Sequence, residues 1–310
     1  MKMIAVILFV LLLLSGCCKD ELNNESWKKQ ESGTTENLNS VFFTDANTGY
    51  VVGNNGIILK TINGGNSWIK KTSGTTYDLN SVYFIGNTGY VVSSAGPTLL
   101  KTTDGGSNWT SMNLTEAFLW SVFFTDVNTG YAVGGAGRIV KTTDGGTTWS
   151  KQVKSGYNLS SVFFSDASTG YVVGFYGKIL KSIDGGISWT DQQAGSLNWF
   201  YSTYFTDKNT GYVAGDAGTI LKTTDGGTTW KTQDSGLTFA WLKSIFFIDN
   251  NLGYVVGFDM NGGIILKTIN GGTTWTTQKS NVSVELSSVY FINNACYAVG
   301  EQGTIIKINL

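Results

Sequence analysis

The chain has 310 residues, with 21 Lys and Arg against 22 Asp and Glu, no histidine, three cysteines and a single arginine, Arg138. The lack of histidine excludes Ser-His-Asp and Cys-His catalysis, histidine metal ligation and an imidazole pH switch. The near-neutral charge argues against nucleic acid as a partner, and one arginine cannot form an arginine clamp for a carboxylate or phosphate. We expect no cofactor and no bound metal.

The N-terminus predicts a lipoprotein signal peptide over residues 1–16. An apolar run from Ile4 to Leu14 follows Lys2 and is too short to span a bilayer. Leu14-Ser15-Gly16-Cys17 resembles a bacterial lipobox, which implies lipidation of Cys17. An ordinary secretory peptide with an accidental cysteine is the alternative. Residues 17–25 would then be the lipidated cysteine and a polar tether.

The segment Lys19-Asp20-Glu21 resembles the signal that sends some Bacteroidetes lipoproteins to the cell surface. A solvated charge run is the alternative explanation. The N-terminus therefore predicts a cell-envelope lipoprotein of the outer membrane, with surface display as a further hypothesis. The membrane would be contacted through the lipid anchor only.

From Trp27 onward, one unit of 40 to 43 residues repeats seven times. Its marker is Gly-Tyr or an equivalent pair, at Gly49, Gly89, Gly130, Gly170, Gly211, Gly253 and Cys296. In the third unit, strands are predicted at Leu119–Phe124, Tyr131–Gly134, Ile139–Thr142 and from Trp149 to about Val153, with Gly-rich turns between them. Such units are typical of propeller blades. The sequence thus predicts an all-β, seven-bladed β-propeller over residues 26–310.

The two ends of the chain predict how the ring closes. The last unit supplies only three strands, near 286–292, 296–300 and 304–308. The missing fourth strand is found at the other end, where Trp27-Lys28-Lys29-Gln30 resembles Trp68-Ile69-Lys70-Lys71. We therefore expect the N-terminal strand to complete the seventh blade.

Six turns share a pattern that resembles the Asp-box of sialidase-like propellers. Its acidic or amide positions are Asn63, Asp104, Asp144, Asp184, Asp225 and Asn270, and its tryptophans are Trp68, Trp109, Trp149, Trp189, Trp230 and Trp275. We expect these residues to be structural, because an Asp or Asn side chain can bond the backbone of its own turn and the indole can pack between blades. Turns such as Asp45-x-Asn47 are likewise interpreted as turn chemistry rather than calcium sites.

The repeat also resembles the photosystem II assembly/stability factor-like family, which has seven Asp-box blades. The matching elements are Asn-x-Thr-Gly-Tyr-x-Val-Gly and Ile-Leu-Lys-Thr-x-Asp-Gly-Gly-x-x-Trp, along nearly the whole chain after the signal. The resemblance implies a chaperone-like scaffold, which in photosynthetic members uses an arginine-rich surface. That surface, and the three arginines with which sialidases bind a substrate carboxylate, are incompatible with one arginine.

Blades 3 to 6 are predicted to carry large aromatic residues on the face where the innermost strands begin. Blades 1, 2 and 7 have small polar residues or Glu285 there. Aromatic residues beyond those needed for packing often anchor a ligand. The alternative is that they pack against neighbouring loops. The predicted contact set is Phe118, Trp120, Trp199, Tyr201 and Trp241, with Tyr176 and Phe258 at its edge.

The prediction from these features is a monomeric, non-catalytic scaffold that binds an envelope protein or a glycan. The alternative is a glycoside hydrolase or lyase that uses carboxylates on the same face. The candidates for that role are Asp78, Asp216, Asp259, Glu285 and Glu301. The short, uniform loops argue against a deep substrate cleft.

Overall fold

A computed structural model of the chain describes residues 26–95, 99–114, 118–153 and 156–310. The predicted signal peptide, Cys17 and the tether lie outside the described residues. The described chain forms seven antiparallel four-stranded sheets and two single-turn 3-10 segments, Asn54–Gly56 and Gly135–Gly137. The predicted all-β, seven-bladed propeller is therefore confirmed.

The strands follow one another in the order inner to outer within each blade. Blade 1 contains β2 (Leu38–Phe43), β3 (Gly49–Gly53), β4 (Ile58–Thr61) and β5 (Ile69–Lys71). Blade 2 contains β6 (Leu79–Ile85), β7 (Thr88–Ser93), β8 (Leu99–Thr102) and β9 (Thr110–Met112). Blade 3 contains β10 (Leu119–Phe124), β11 (Gly130–Gly134), β12 (Arg138–Thr142) and β13 (Ser150–Val153). Blade 4 contains β14 (Leu159–Phe164), β15 (Gly170–Gly174), β16 (Ile179–Ser182) and β17 (Thr190–Gln192).

The remaining blades keep this order, with one exception at the chain ends. Blade 5 contains β18 (Phe200–Phe205), β19 (Gly211–Gly215), β20 (Ile220–Thr223) and β21 (Lys231–Gln233). Blade 6 contains β22 (Ala240–Phe247), β23 (Gly253–Asp259), β24 (Gly262–Thr268) and β25 (Thr276–Gln278). Blade 7 contains β26 (Leu286–Ile292), β27 (Ala295–Gly300), β28 (Ile305–Asn309) and, as its outer strand, β1 (Lys28–Gln30).

The N-terminal strand closes the ring as predicted. Strand β1 pairs antiparallel with β28, with Lys28 opposite Lys307 and Gln30 opposite Ile305. Trp27, just before the strand, is buried and meets the Tyr254 ring edge-to-face at 6.1 Å. A blade built from both chain ends cannot separate from the ring without breaking this pairing.

A ring of serines joins the innermost strands. The serine that follows each bulge accepts a hydrogen bond from a backbone N–H of the next blade, at 3.2 to 3.4 Å. The seventh bond runs from Val41 N to Ser288 Oγ and returns to blade 1. The serines are Ser40, Ser81, Ser121, Ser161, Ser202, Ser244 and Ser288.

A second ring, made of aromatic side chains, lies two residues further along the same strands. Neighbouring ring centroids are 4.7 to 5.2 Å apart, and the last ring contacts the first. Its members are Phe42, Tyr83, Phe123, Phe163, Tyr204, Phe246 and Tyr290. These rings form a closed belt that joins the innermost strands of all seven blades.

The blades also share aromatic triads. In six of the blade contacts, a tyrosine of one blade stacks at 3.7 to 4.1 Å on a phenylalanine of the next, and that phenylalanine meets the Asp-box tryptophan edge-to-face. Gly130 illustrates why glycine precedes the tyrosine, since a Cβ there would lie 2.4 Å from the Phe124 ring. In blade 7, the fully buried Cys296 takes this place.

The same tyrosines and the lysines of the repeat donate hydrogen bonds to the Asp-box of the next blade. Tyr50 Oη and Lys60 Nζ both donate to the carbonyl oxygen of Gly105, at 2.8 and 2.6 Å. The arrangement recurs at Gly145, Gly185, Gly226 and Gly271, and Tyr297 with Lys307 repeats it at Gly64. The lysine of the Ile-Leu-Lys-Thr motif is thus an inter-blade contact.

The loops divide into two faces. Gly64 N donates to Asn47 O, which joins the Asp-box to the turn after the first strand; we call this the hairpin face. On the opposite side, Asn54 N donates to Asn37 O, which joins a turn between the second and third strands to an inter-blade link. We call this side the link face.

Candidate functional site

The Asp-box side chains bond their own turns. Asp104 Oδ1 accepts hydrogen bonds from the backbone of Ser107 and Asn108, at 2.9 and 3.0 Å, and Asn63 Oδ1 accepts one from Ser67. Hydrogen bonds from Thr148 lower the pKa of Asp144 to about 2. Asp45 Oδ1 similarly accepts from the backbone of Asn47 and Thr48. Their lone pairs are thus used within the turns, which leaves the link face as the candidate site.

Aromatic rings on the link face form one connected path across blades 3 to 5. Phe175 lies at its centre and stacks on Trp199, with ring centroids 4.3 Å apart and planes 4° apart. Trp120, in blade 3, also stacks on Phe175, with ring centroids 5.6 Å apart. Tyr176 meets Trp199 edge-to-face at 5.9 Å and Tyr157 at 5.5 Å. The path therefore runs from the inner strands to the rim of blade 4.

Lys243 connects this path to a second pair of rings. Its ammonium lies 4.5 Å from the Tyr201 centroid and 5.5 Å from the Phe258 centroid, which favours cation–π attraction. Phe258 stacks on Trp241 at 4.9 Å, and Tyr201 meets Phe175 edge-to-face. We call the whole set the aromatic surface: Trp120, Tyr157, Phe175, Tyr176, Trp199, Tyr201, Trp241 and Phe258.

The aromatic surface is both packed and exposed. Tyr176 keeps 55% of its surface accessible, Trp199 38% and Trp241 37%, although each contacts another ring. Of the predicted contact set, all but Phe118 belong to this surface. Phe118 is 57% exposed but makes no ring–ring contact among the described residues.

Two members of the aromatic surface, Phe175 and Tyr157, and the lysine that contacts it, Lys243, are not in the predicted contact set. Phe175 and Tyr157 are aromatic residues of loops on this face, and Lys243 occupies the strand position that Trp120 and Tyr201 hold in other blades. The sequence places Phe175 and Tyr176 together in a turn of this face, but the predicted contact set contains only Tyr176. Their importance becomes visible only when blades 3 to 6 are placed side by side.

The central channel opens on the link face, and we call this opening the mouth. At the mouth, the inner strands of blades 1, 2 and 4 carry small polar residues. Asn39 and Asn80 donate to the carbonyl oxygens of Leu79 and Leu119, which begin the next inner strands, and Ser160 donates to Phe200 O. The small polar residues at these positions therefore bind the neighbouring blade. The aromatic side of the mouth is asymmetric within a nearly symmetric ring.

Blade 6 has longer strands at the link face than its neighbours. The extra residues around Asp259 extend β22, β23 and β24, so that Trp241 pairs with Phe258 and Asp259 with Gly262. Phe239 and Met260 are exposed at this end. The insertion thus extends blade 6 on the link face, and its strands carry two rings of the aromatic surface, Trp241 and Phe258.

A groove continues the aromatic surface toward the rim. It has a volume of about 820 Å³ and is lined by Tyr157, Tyr176, Lys178, Asp191 and Leu197, among others. Lys178 Nζ lies 2.8 Å from Asp191 Oδ1 and over the Tyr157 ring. An open groove that leads from rings at the mouth to the rim suits an elongated ligand better than a small one.

Two carboxylates border the mouth next to Tyr201. Burial raises the pKa of Asp216, whose Oδ1 accepts a 2.8 Å hydrogen bond from Trp199 N. Burial also raises the pKa of Glu285, although Lys243 opposes this from 3.7 Å. Burial, Asp216 and Glu285 together raise the pKa of Tyr201 to about 12. The phenol is therefore a neutral hydrogen-bond donor at ordinary pH.

The other predicted carboxylates lie apart or bond locally. Asp78 Oδ1 accepts from Asn55 N, and Asp259 Oδ1 accepts from Asn261 N. Glu301 lies near Glu285 at the start of blade 7. In the described ranges, no group of three or more Cys, Asp or Glu residues is arranged to hold a metal ion, and no helix is long and apolar enough to cross a membrane.

Comparison with known proteins gives one family. The model of the family described as photosynthesis system II assembly factor YCF48 matches residues 19–119, 115–190, 152–231 and 197–275. No curated protein matches the chain. A solved structure described as YCF48 bound to D1 peptide is similar with a TM-score of 0.78 and 20% identity, over 93% of this chain and 96% of that one.

Other solved structures share the fold. YCF48 from Cyanidioschyzon merolae has a TM-score of 0.76 and 20% identity, over 92% of this chain and 98% of that one. Virginiamycin B lyase from Staphylococcus aureus has a TM-score of 0.80 at 11% identity, over 92% of this chain and 100% of that one. Propellers of this shape therefore include both an assembly factor and an enzyme.

Proposed function

Because the chain belongs to the photosynthesis system II assembly factor YCF48 family, we propose that it is a non-catalytic scaffold that binds a segment of a partner protein across its aromatic surface. The observation that carries this proposal is the connected, half-exposed set of rings on blades 3 to 6. Large aromatic side chains with little rotamer freedom are typical anchors of protein interfaces.

Two further observations favour a protein segment over a glycan. A YCF48 structure is described as bound to a D1 peptide, so a propeller of this family holds a peptide. The path from the channel mouth to the groove beside Leu197 is open and elongated, as an extended chain requires. The arginine-rich surface implied for photosynthetic members has no counterpart in a chain whose one arginine is Arg138.

A capture experiment tests the proposal. The full chain in detergent is used as bait for envelope extract, beside a Trp120→Ala/Trp199→Ala/Trp241→Ala variant whose circular dichroism shows that it folds. The matched control replaces three exposed residues of the hairpin face, Ile62→Ala/Ile183→Ala/Ile269→Ala. A protein captured by the wild type and the control but lost with the tryptophan variant supports the proposal. Equal capture by all three baits, or capture of glycan alone, refutes it.

We also propose that Cys17 carries a lipid anchor that holds the propeller in the cell envelope. The support is the lipobox-like Leu14-Ser15-Gly16-Cys17 alone. Metabolic labelling with an alkynyl fatty acid should mark the wild type and Cys18→Ser but not Cys17→Ser. Labelling that survives in Cys17→Ser would exclude this anchor.

The alternative of acid–base catalysis keeps one supporting observation. Asp216 and Glu285 border the same mouth with raised pKa values, as catalytic carboxylates often do. A hydrolase or lyase would lose turnover of an envelope polysaccharide on Asp216→Asn or Glu285→Gln and keep it on Asp225→Asn. A scaffold shows no turnover in any of these proteins.

A further inference from the structure

Charge is unevenly placed on the link face. Among the described links and turns of this face, the acidic residues are Glu31, Glu36, Asp78, Asp216, Asp234, Asp259, Glu285 and Glu301. The basic residues there or at adjoining strand starts are Arg138, Lys178, Lys243 and Lys279. Asp191, Lys29, Lys70 and Lys71 on the outer strands line grooves of the same face. Nine carboxylates against seven cations leave these described residues with a net charge of −2, whereas the whole chain carries −1. The excess of negative charge on the whole face is therefore small.

The imbalance is concentrated at the aromatic end of the mouth. Asp216 and Glu285 both raise the pKa of Tyr201, and Glu301 raises the pKa of Glu285. Lys243 forms an ion pair at this end, 3.7 Å from Glu285 Oε1. Lys178 pairs with Asp191 at the rim. Within the described part of the chain, neither Asp216 nor Glu301 forms such an ion pair.

Both Asp216 and Glu285 are partly withdrawn from water. Burial raises their pKa values, which means that their charged forms are less well solvated than in an open loop. A cation brought to them would restore that stabilisation. An approaching anion would instead add repulsion in a region of reduced dielectric.

The rings around these carboxylates already hold one ammonium group. Lys243 lies over the faces of Tyr201 and Phe258, and Trp199, bonded through its backbone to Asp216, leaves part of its indole exposed. Faces of Trp and Tyr beside carboxylates are the usual environment for a bound Lys or Arg side chain. The mouth therefore combines aromatic faces and carboxylates that can bind a second cation.

We propose that the segment bound by the aromatic surface is a basic one. It is an extended polypeptide with apolar residues along the rings and a Lys or Arg side chain at the carboxylates of the mouth, Asp216 and Glu285 with the adjoining Glu301. This inference rests on the proposed scaffold function and adds the charge of its partner. The ammonium group of Lys243 already occupies part of this site and competes with the cation of the ligand.

Replacement of Lys243 tests whether the partner is basic or acidic. If the partner is basic, Lys243→Gln removes a repelling charge and strengthens binding. If the partner were acidic, Lys243 would attract it and the same change would weaken binding. Asp216→Asn/Glu301→Gln should act in the opposite direction. Asn at 216 can still accept the hydrogen bond from Trp199 N, so the loop is preserved.

The experiment selects peptides of about twelve residues from a displayed library on the full chain, which gives an extended length of about 40 Å. Enrichment of Lys and Arg next to apolar residues is expected. For a selected peptide, affinity should fall about tenfold in Asp216→Asn/Glu301→Gln, rise severalfold in Lys243→Gln and stay unchanged in Asp225→Asn, a hairpin-face change to the residue that blades 1 and 6 have. Affinity should also fall as the NaCl concentration rises.

The outcomes separate this inference from the proposed function. Neutral or acidic peptides that bind the wild type but not the Trp120→Ala/Trp199→Ala/Trp241→Ala variant would overturn the basic partner and keep the aromatic surface. Peptides that bind all variants alike, or a selection that yields no binder, would overturn both. Weaker binding of a basic peptide to Lys243→Gln would refute the cation site at the mouth.

Discussion

Replacement of Trp27 with alanine is expected to lower the free energy of unfolding by about 3–5 kcal/mol, the usual range for removal of a buried aromatic side chain. Only 4% of Trp27 is exposed, and its ring meets Tyr254 and lies in one core cluster with Val289, Ile306 and Ile308. The cavity would open where β1 joins blade 7. Since single domains are stable by about 5–15 kcal/mol, this one side chain would carry a large share of the total.

The assay is urea unfolding followed by circular dichroism, which does not depend on the fluorescence of the replaced residue. Lys29→Ala is the control, because Lys29 is exposed on the same strand and its change should stay within about 0.5 kcal/mol. A Trp27→Ala variant within about 1 kcal/mol of the wild type would contradict closure of the ring by the N-terminal strand.

Deletion of residues 26–31 extends the same test. Without β1, the outer edge of β28 has no partner strand, and an unpaired edge favours association with other chains. We expect loss of stability and oligomers in size-exclusion chromatography. An unchanged melting temperature and a monomeric elution volume would show that blade 7 is complete without β1.

Three further predictions follow from single residues. Gly130→Ala should destabilise the protein by about 1–3 kcal/mol in urea unfolding, because the new Cβ overlaps Phe124, whereas Gly156→Ala, with open space around it, should be neutral. Tyr176 has a left-handed backbone (φ 59°), as Asn55 has at the equivalent turn, so Tyr176→Asn should change stability by less than about 1 kcal/mol while it weakens peptide binding; undiminished binding would remove Tyr176 from the site. The pKa of Asp144 is about 2, below the value of about 3.9 in an unfolded chain, so its contribution is complete above pH 4 and is lost as the pH falls through 2. Melting temperatures of Asp144→Asn should therefore depend less on pH between 4 and 2 than those of the wild type, and an equal dependence would contradict the turn's role.

Much of the fold could be predicted because its signals are local and repeated. Four alternating strands, glycines at turns and the Thr-x-Asp-x-Gly pattern recur at a nearly constant spacing, so each blade is specified by its own residues. Closure was also predictable, since Trp27 to Gln30 repeats a strand that the last unit lacks. The Asp-box aspartates act within four residues of themselves, which is why their structural role could be inferred from the turn alone.

The candidate site was predicted less completely. Six of the seven predicted contact residues lie in the aromatic surface. Phe118 makes none of its described ring contacts, and the predicted set lacks Phe175, the central ring. The sequence around a loop aromatic residue does not show whether its ring contacts another ring. Only the positions of adjacent blades distinguish Phe175 from Phe118.

The blade, the number of blades and the strand that closes the ring can be inferred from residue order, because they depend on periodicity and turn chemistry within about forty residues. The contacts between residues of different blades follow only from the tertiary structure. It placed Lys60 on the next Asp-box, joined seven serines and seven aromatic residues into rings, and brought Trp199, Lys243 and Glu285 to one mouth. Such contacts depend on the curvature that packs one sheet against the next, and no local pattern encodes that curvature residue by residue.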